Sequence, residues 1–465
     1  MQLDPSDCRI LFARWVLPMS GPPLKDAAVI IEGQNIADVL FKDELSYKYS
    51  PQFLEQLPKE PHDYGDAILL PGLINLHTHL DYSALRCSDV ESGMFDWICG
   101  LVERSSKWSP DQWRSSASYG AREAAMAGTT CIVDSSFSGL SVHAIAETGL
   151  RAVVGLELFG LRDDEASAVW GHWLNRYDTL KNTTEARTHA AMASERIKLT
   201  VAPHAPYTVC PTLWLKATIW AKERGLPLLA HLSESSEECG WIKSDNKRIN
   251  EYLTFVKKLF NPALPVSEAG ILEELTQIRW KGRGASPTKH LKNFGLLDSN
   301  LIAAHAIHMD DEDIQLLAES RAGVAHCPRS NAKLRNGRAQ IEKLVEADIN
   351  FALGTDGLAS NDDLSLLNEA RFAADLHRAS RPEFQWSSEQ IVRSITLDAA
   401  KMLNSSHEIG SIEPEKLADI AVFKLEHRTH GSDNPYDLLV HGKSRLLDLF
   451  VEGRAIVSNG EMVAD

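Results

Sequence analysis

Eight short apolar segments, each passing into a helix-like stretch, constrain this chain more than any other feature. They lie at 69–79, 129–134, 151–159, 197–204, 227–231, 301–305, 323–327 and 350–356. Helical spacing fills 111–127, with Gly128 as a stop signal, and 211–224, ending at Gly225. Residues 165–193 read as mostly helical, and 310–321 and 339–347 as helices. Strands separated by helical crossovers pair in parallel, and eight such units predict closure into a (β/α)8 TIM barrel. A doubly wound open sheet is the structural alternative, but its Gly-rich dinucleotide turn is absent from the sequence.

Both chain ends read differently. Residues 10–40 form short strand patterns, with Gly33 placed as a hairpin turn, and 419–423 and 449–457 read as further strands. The ends are therefore expected to pair into one small β-sandwich, built from 1–66 and 404–465, beside a barrel spanning 67–403. Residues 44–66 are polar and Pro-bearing, as a connector would be. Residues 237–292, carrying Trp241, Trp280 and the Gly-rich run at 281–287, read as an insertion between the fifth and sixth strands.

The chain of 465 residues has room for one large barrel and an accessory unit. Its net charge of −16 argues against nucleic acid or an anionic membrane as partner. Seven cysteines, Cys87 among them, form no CxxC pair, which implies free thiols in a reducing compartment. There is no basic stretch leading into an apolar one at the N-terminus and no apolar run of membrane-spanning length, so a cytoplasmic protein is expected.

In barrels of this kind, chemistry sits where strands end. The first strand ends in His77 and His79, two residues apart and so on one face. The fourth ends in His204, the fifth in His231 with Glu234 beyond it, the sixth in His305 and the eighth in Asp356. A catalytic divalent ion wants three or four N/O ligands and an open position for water. His77, His79, His231 and Asp356 supply such a set. A cation there makes water acidic near neutral pH. Glu234 is placed to carry its proton to a ring nitrogen or leaving group, and Asp356 could act as its base. His305 is left to orient the attacking oxygen or polarise the attacked group. The fourth strand ends in His204 and not in a metal-bridging lysine, so a single ion is expected. The same ligands suit zinc and iron. The HxE…PCxxC pattern of the zinc nucleobase deaminases is absent. Arg329 could bind an anionic part of a substrate or serve an ordinary loop ion pair. Trp97 could stack on a heterocycle or pack in the core.

These motifs resemble the amidohydrolase superfamily. The resemblance rests on 71–79, 203–208, the His-Leu-Ser-Glu run ending at Glu234, 353–361, and 410–422 as the return into a β-sandwich. Within it the chain is similar to the chlorohydrolase and aminohydrolase branch that includes S-adenosylhomocysteine/methylthioadenosine deaminases. The 326–331 motif, the 285–287 run and Glu157 are most similar to aminodeoxyfutalosine deaminase-like members. The resemblance implies His77, His79, His231 and Asp356 on one zinc or iron, with Glu234 and His305 acting on substrate and water. His204, Glu157 and Trp97 would contact substrate. It implies hydrolytic removal of an amine from a small aminated heterocycle, above all an adenine-type nucleoside. A chlorohydrolase or cyclic amide hydrolase is the alternative with the same site. Members of this branch are commonly homo-oligomers. The run after the first signature ends in Arg86-Cys87, where many relatives have Arg-Gly.

Overall fold

The computed structural model describes residues 3–86, 93–260, 268–427 and 433–463. Cys87 and residues 261–267 of the inserted segment lie outside them. Strands are numbered in chain order: β1 (Cys8–Val16), β2 (Leu24–Glu32), β3 (Asn35–Phe41), β4 (His62–Asp63), β5 (Ala67–Pro71), β6 (Leu73–Thr78), β7 (Thr129–Ser136), β8 (Arg151–Leu158), β9 (Ile197–Pro203), β10 (Leu228–Leu232), β11 (Leu301–His305), β12 (Gly323–His326), β13 (Phe351–Leu353), β14 (Ile420–His427), β15 (Lys443–Val451), β16 (Arg454–Ser458) and β17 (Glu461–Met462).

The fold is mixed α/β. Two four-stranded parallel sheets take strands in sequence order, β6-β7-β8-β9 and β10-β11-β12-β13. No ladder joins β9 to β10 or β13 to β6 among the described residues. Single backbone bonds bridge both gaps: His231 N–H donates to the His204 carbonyl at 2.9 Å, and Asp356 N–H to the His77 carbonyl at 3.0 Å. Side chains alternate as the pleat requires. One buried cluster draws on all eight parallel strands, including Ile74, Val133, Val153, Ala202, Leu229, Ile302, Ala325 and Ala352. Their neighbours in sequence, such as Leu73, Ile132 and Val154, pack outward with Ala121 and Ala124 of the helix Pro110–Met126.

The chain ends do meet. β17-β16-β15-β14-β5-β1-β2-β3, with β4 beside β1, make one nine-stranded sheet. It takes in β5, a stretch expected to open the barrel. The 69–79 run is two strands because Gly72 interrupts it; a Cβ at Gly72 would lie 2.1 Å from Thr130 side-chain atoms, so the chain passes β7 only without one. The 449–457 run is likewise not one strand. Glu452 and Gly453 take positive φ (50° and 71°), and β15 folds back as β16. Arg151 ties this sheet to β8 through a buried pair with Asp419 at 3.1 Å. Among the described residues no helix is long and apolar enough to cross a membrane.

Glu342, on the helix Ile341–Glu346, gives the fold a pH dependence. Burial pushes its carboxyl up, but two Arg338 nitrogens at 2.8 Å, with His377 nearby, hold it down to about 2 from 4.5. A depressed folded value stabilises above the unfolded value and is lost as pH falls through the folded one. Glu342→Gln should therefore cost about 1–2 kcal/mol near neutral pH, allowing for solvent screening. Urea unfolding of both proteins between about pH 7 and pH 3 checks this. A gap that does not narrow on acidification would rule out the ion pair as its source.

Candidate metal and catalytic site

The histidines expected at strand ends converge. His77 and His231 are buried and His79 is nearly so. Neighbouring carbonyls fix the tautomers of His79 and His231. His79 Nδ1–H donates to the Ser135 carbonyl, and His231 Nδ1–H to the His204 carbonyl, both at 2.9 Å. Each ring thus turns a lone pair, on Nε2, toward the other, 3.0 Å away. Two acceptors at that distance cannot hydrogen-bond to each other. His77 Nε2 is buried with no partner. Ligand atoms of His77, His79 and His231 lie within 4.8 Å of one another, a set that could hold a metal ion. Asp356 Oδ1 stands 3.8 Å from both His77 Nε2 and His79 Nε2. Donor type, tautomer and unpaired lone pairs all fit a divalent cation.

The neighbouring groups are set by contacts distant in sequence. Asp356 Oδ2 accepts from the Ser330 hydroxyl at 2.6 Å and the Ser360 hydroxyl at 2.8 Å. Burial would raise its carboxyl, but His79, His77 and His305, with the Ser330 bond, hold it well below the carboxylate range. Burial lowers the imidazoles of His77, His79 and His231, which keeps their lone pairs free. His305 Nδ1–H donates to Asn331 Oδ1 at 2.8 Å, leaving Nε2 facing Glu234 Oε1 at 3.6 Å. Asn336 Nδ2 donates to Glu234 Oε1 at 3.2 Å. Burial pushes Glu234 up to about 7, with His305 opposing and Asp356 adding. His305 (φ 73°) and Asp356 (φ 58°) both have left-handed backbone, a conformation that is uncommon outside glycine, that His and Asp adopt more readily than most residues, and that clusters where side chains are held for function.

A cavity of about 550 Å³ opens over this floor, lined there by His79, Glu157, His204, His231, Glu234, His305 and Asp356. His204 stacks on Phe159 with centroids 4.8 Å apart, and its Nδ1 meets the Thr208 hydroxyl at 2.9 Å. Glu157, buried, is pushed well above the carboxylate range, first by burial and then by Asp81 and Asp134. It is a hydrogen-bond donor in that state. Trp97 lines the cavity while its Nε1–H donates to the Ala359 carbonyl at 3.0 Å. Arg329 does not line it. Its guanidinium holds Asp363 at 2.7 and 3.1 Å, so the loop ion pair is its contact and not an anionic substrate. Trp241 and Trp280 pack on each other away from the cavity, 5.6 Å between centroids. Ser330, Asn331 and Asn336 were not expected as site residues. Ser330 and Asn331 follow His326 in a motif whose polarity offered the only cue.

The profile of the Amidohydrolase family matches residues 68–456. The chain belongs to the amidohydrolase family. It is 33% identical over 366 residues to the 5-methylthioadenosine/S-adenosylhomocysteine deaminase of Thermoanaerobacter pseudethanolicus, covering 77% of this chain and 74% of that one. Among solved structures, a zinc-bound adenosine deaminase from Xanthomonas campestris superposes with a TM-score of 0.78 at 24% identity, over 100% of this chain and 96% of that one. The atrazine chlorohydrolase of Arthrobacter aurescens, complexed with zinc, gives 0.76 at 22%, over 98% and 97%. These two likenesses are of fold. The chain is thus a hydrolase of this family, as its strand-end motifs implied.

Proposed function

We propose that the protein is a metal-dependent aminohydrolase that removes an amine from an aminated heterocycle, an adenine-type nucleoside above all. The observation that carries this is the convergence of three imidazoles, two turning lone pairs at each other and one with an unpartnered nitrogen, beside a buried carboxyl poised near neutrality at the floor of a cavity. His77, His79, His231 and Asp356 would hold one divalent ion, zinc by preference. When bound, such an ion would make water acidic enough to attack at neutral pH. Glu234 would carry one proton from that water to the ring nitrogen and a second, released through Asp356, to the departing amine, which leaves as ammonia. His305, its tautomer fixed by Asn331, orients the attacking oxygen. Asp356 would accept that second proton from the attacking oxygen as the ring carbonyl forms. Glu157 donates to the substrate ring, His204 and Trp97 border it, and the apolar walls exclude water.

The same reading supplies the architecture. The buried cluster drawn from all eight parallel strands supports a closed (β/α)8 barrel over 67–403. The terminal sheet, built from 1–66 and 404–465 together with β5, has separate apolar clusters around Val29 and around Ile30, which supports a sandwich-like unit.

Zinc-loaded protein should release ammonia from one member of a panel of adenine-type nucleosides, guanine, cytosine and aminated triazines. A chelator should abolish it. Chloride release from chlorinated triazines, with no ammonia from any amine, would replace the proposal with the chlorohydrolase reading.

A further inference from the structure

The cavity is much larger than its catalytic floor, and its outer half has a different chemistry. Two helices build it: α1 (Met94–Ser105) and α2 (Lys247–Phe260), the second from the inserted segment, with α3 (Glu268–Thr276) behind. Ile98, Leu101 and Val102 recur at helical spacing and turn one face of α1 inward. Leu253 and Val256 of α2 and Leu275 of α3 face them across the space. Arg248 of α2 holds Asp96 of α1 at 2.7 Å, and Tyr252 packs edge-on against Phe95 at 5.7 Å, so the walls are tied together.

The charges in this outer half are already paired. Among the described lining residues beyond the floor, Lys257 pairs with Glu274, and Arg162 pairs with Asp164 and, at 3.2 Å, with Glu165. A charged substituent entering here would have to compete with an existing ion pair or lie unpaired against aliphatic walls, and the second is costly. An apolar substituent meets no such cost and sheds its own hydration.

Resting on the deaminase reading, we infer that the outer chamber is a subsite for an uncharged, apolar or aryl substituent on the aminated ring, and that the inserted segment exists to form its wall. With the ring at the histidine floor, the remainder of about 550 Å³ falls to the substituent. The enzyme thereby selects nucleosides whose distal end is hydrophobic over those ending in a carboxylate, a phosphate or a zwitterionic amino acid.

The test is calorimetric binding to zinc-loaded protein of ring-matched nucleosides carrying methylthio, butylthio or phenylthio at the 5′ position, against the 5′-carboxylate and 5′-phosphate. Hypoxanthine counterparts are used, so that binding is read without turnover. Affinity should rise about fourfold per buried methylene. The charged compounds should bind about 100-fold or more weakly than the phenylthio one. Val102→Trp, which fills the chamber from a half-buried position, should lower the phenylthio-to-methylthio affinity ratio, and Val256→Lys, which adds a cation to the wall, should narrow the gap between apolar and anionic ligands. A flat apolar series, charged ligands that bind equally well, or no binding by any member would overturn the inference. Ammonia release from the matching adenine compounds is scored separately. The expected binding order without ammonia would remove the deaminase reading and leave the chamber standing. Ammonia release with equal affinity for charged and apolar ends would do the reverse.

Discussion

Glu234→Gln should leave metal content and folding intact and lower kcat by about 100- to 10,000-fold, the usual worth of a positioned general acid–base. Glutamine keeps the shape of the side chain and an oxygen for the Asn336 amide, now at 3.2 Å from Glu234 Oε1. What it loses is the exchangeable proton. Burial pushes the Glu234 carboxyl up to about 7, so near neutral pH the group exists in both forms and can accept from water and donate to a leaving amine. His305 opposes that rise from 3.6 Å away and is itself held by Asn331. Turnover, metal analysis and thermal melting of the one variant separate the alternatives. Near-normal kcat would remove the proton-carrying role. Metal lost together with activity would put Glu234 among the ligands.

Much of this arrangement was legible because it follows from local periodicity. Alternation places His77 and His79 on one face of a strand, and βα repetition predicts parallel strands, whose ends converge. Those are properties of a few consecutive residues. The contacts that tune the site are not. Asn331 reaches His305 across 26 residues and Asn336 reaches Glu234 across 102, and no spacing rule links them. Arg329 shows the converse. A cation beside a cavity motif suggested a substrate contact, but Asp363, 34 residues on, claims it. The breaks inside apolar runs were also hidden. Gly72 marks a close approach of β7 and Gly453 a hairpin, and each reads from sequence as one glycine in a strand pattern. The inserted segment was visible as an interruption, but its purpose depends on which faces of α1 and α2 meet, a tertiary fact.

The strongest expected effect belongs to the proposed metal ligands. His231→Ala should abolish detectable turnover and bound metal together, and should also erase the response of stability to chelation. In the protein as it stands, His79 Nε2 and His231 Nε2 turn lone pairs at each other across 3.0 Å, and His77 Nε2 has no partner. Such buried, unsatisfied acceptors are unfavourable on their own. Protonation does not relieve them near neutral pH, because burial lowers all three imidazoles. A cation does, so its binding free energy adds to folding: about 2.7 kcal/mol when free metal is 100 times its Kd. Chelation should therefore lower the melting temperature of the unaltered protein, and returning zinc should restore it. In His231→Ala the melting temperature should not change with either treatment, since two imidazoles and Asp356 leave the set one donor short. A variant that kept stoichiometric metal and chelator-sensitive turnover would show that the ion sits elsewhere. The one other described trio of this kind, Glu157, His204 and His231, shares the same residue. His77→Ala tells the two apart, because only the first trio contains His77.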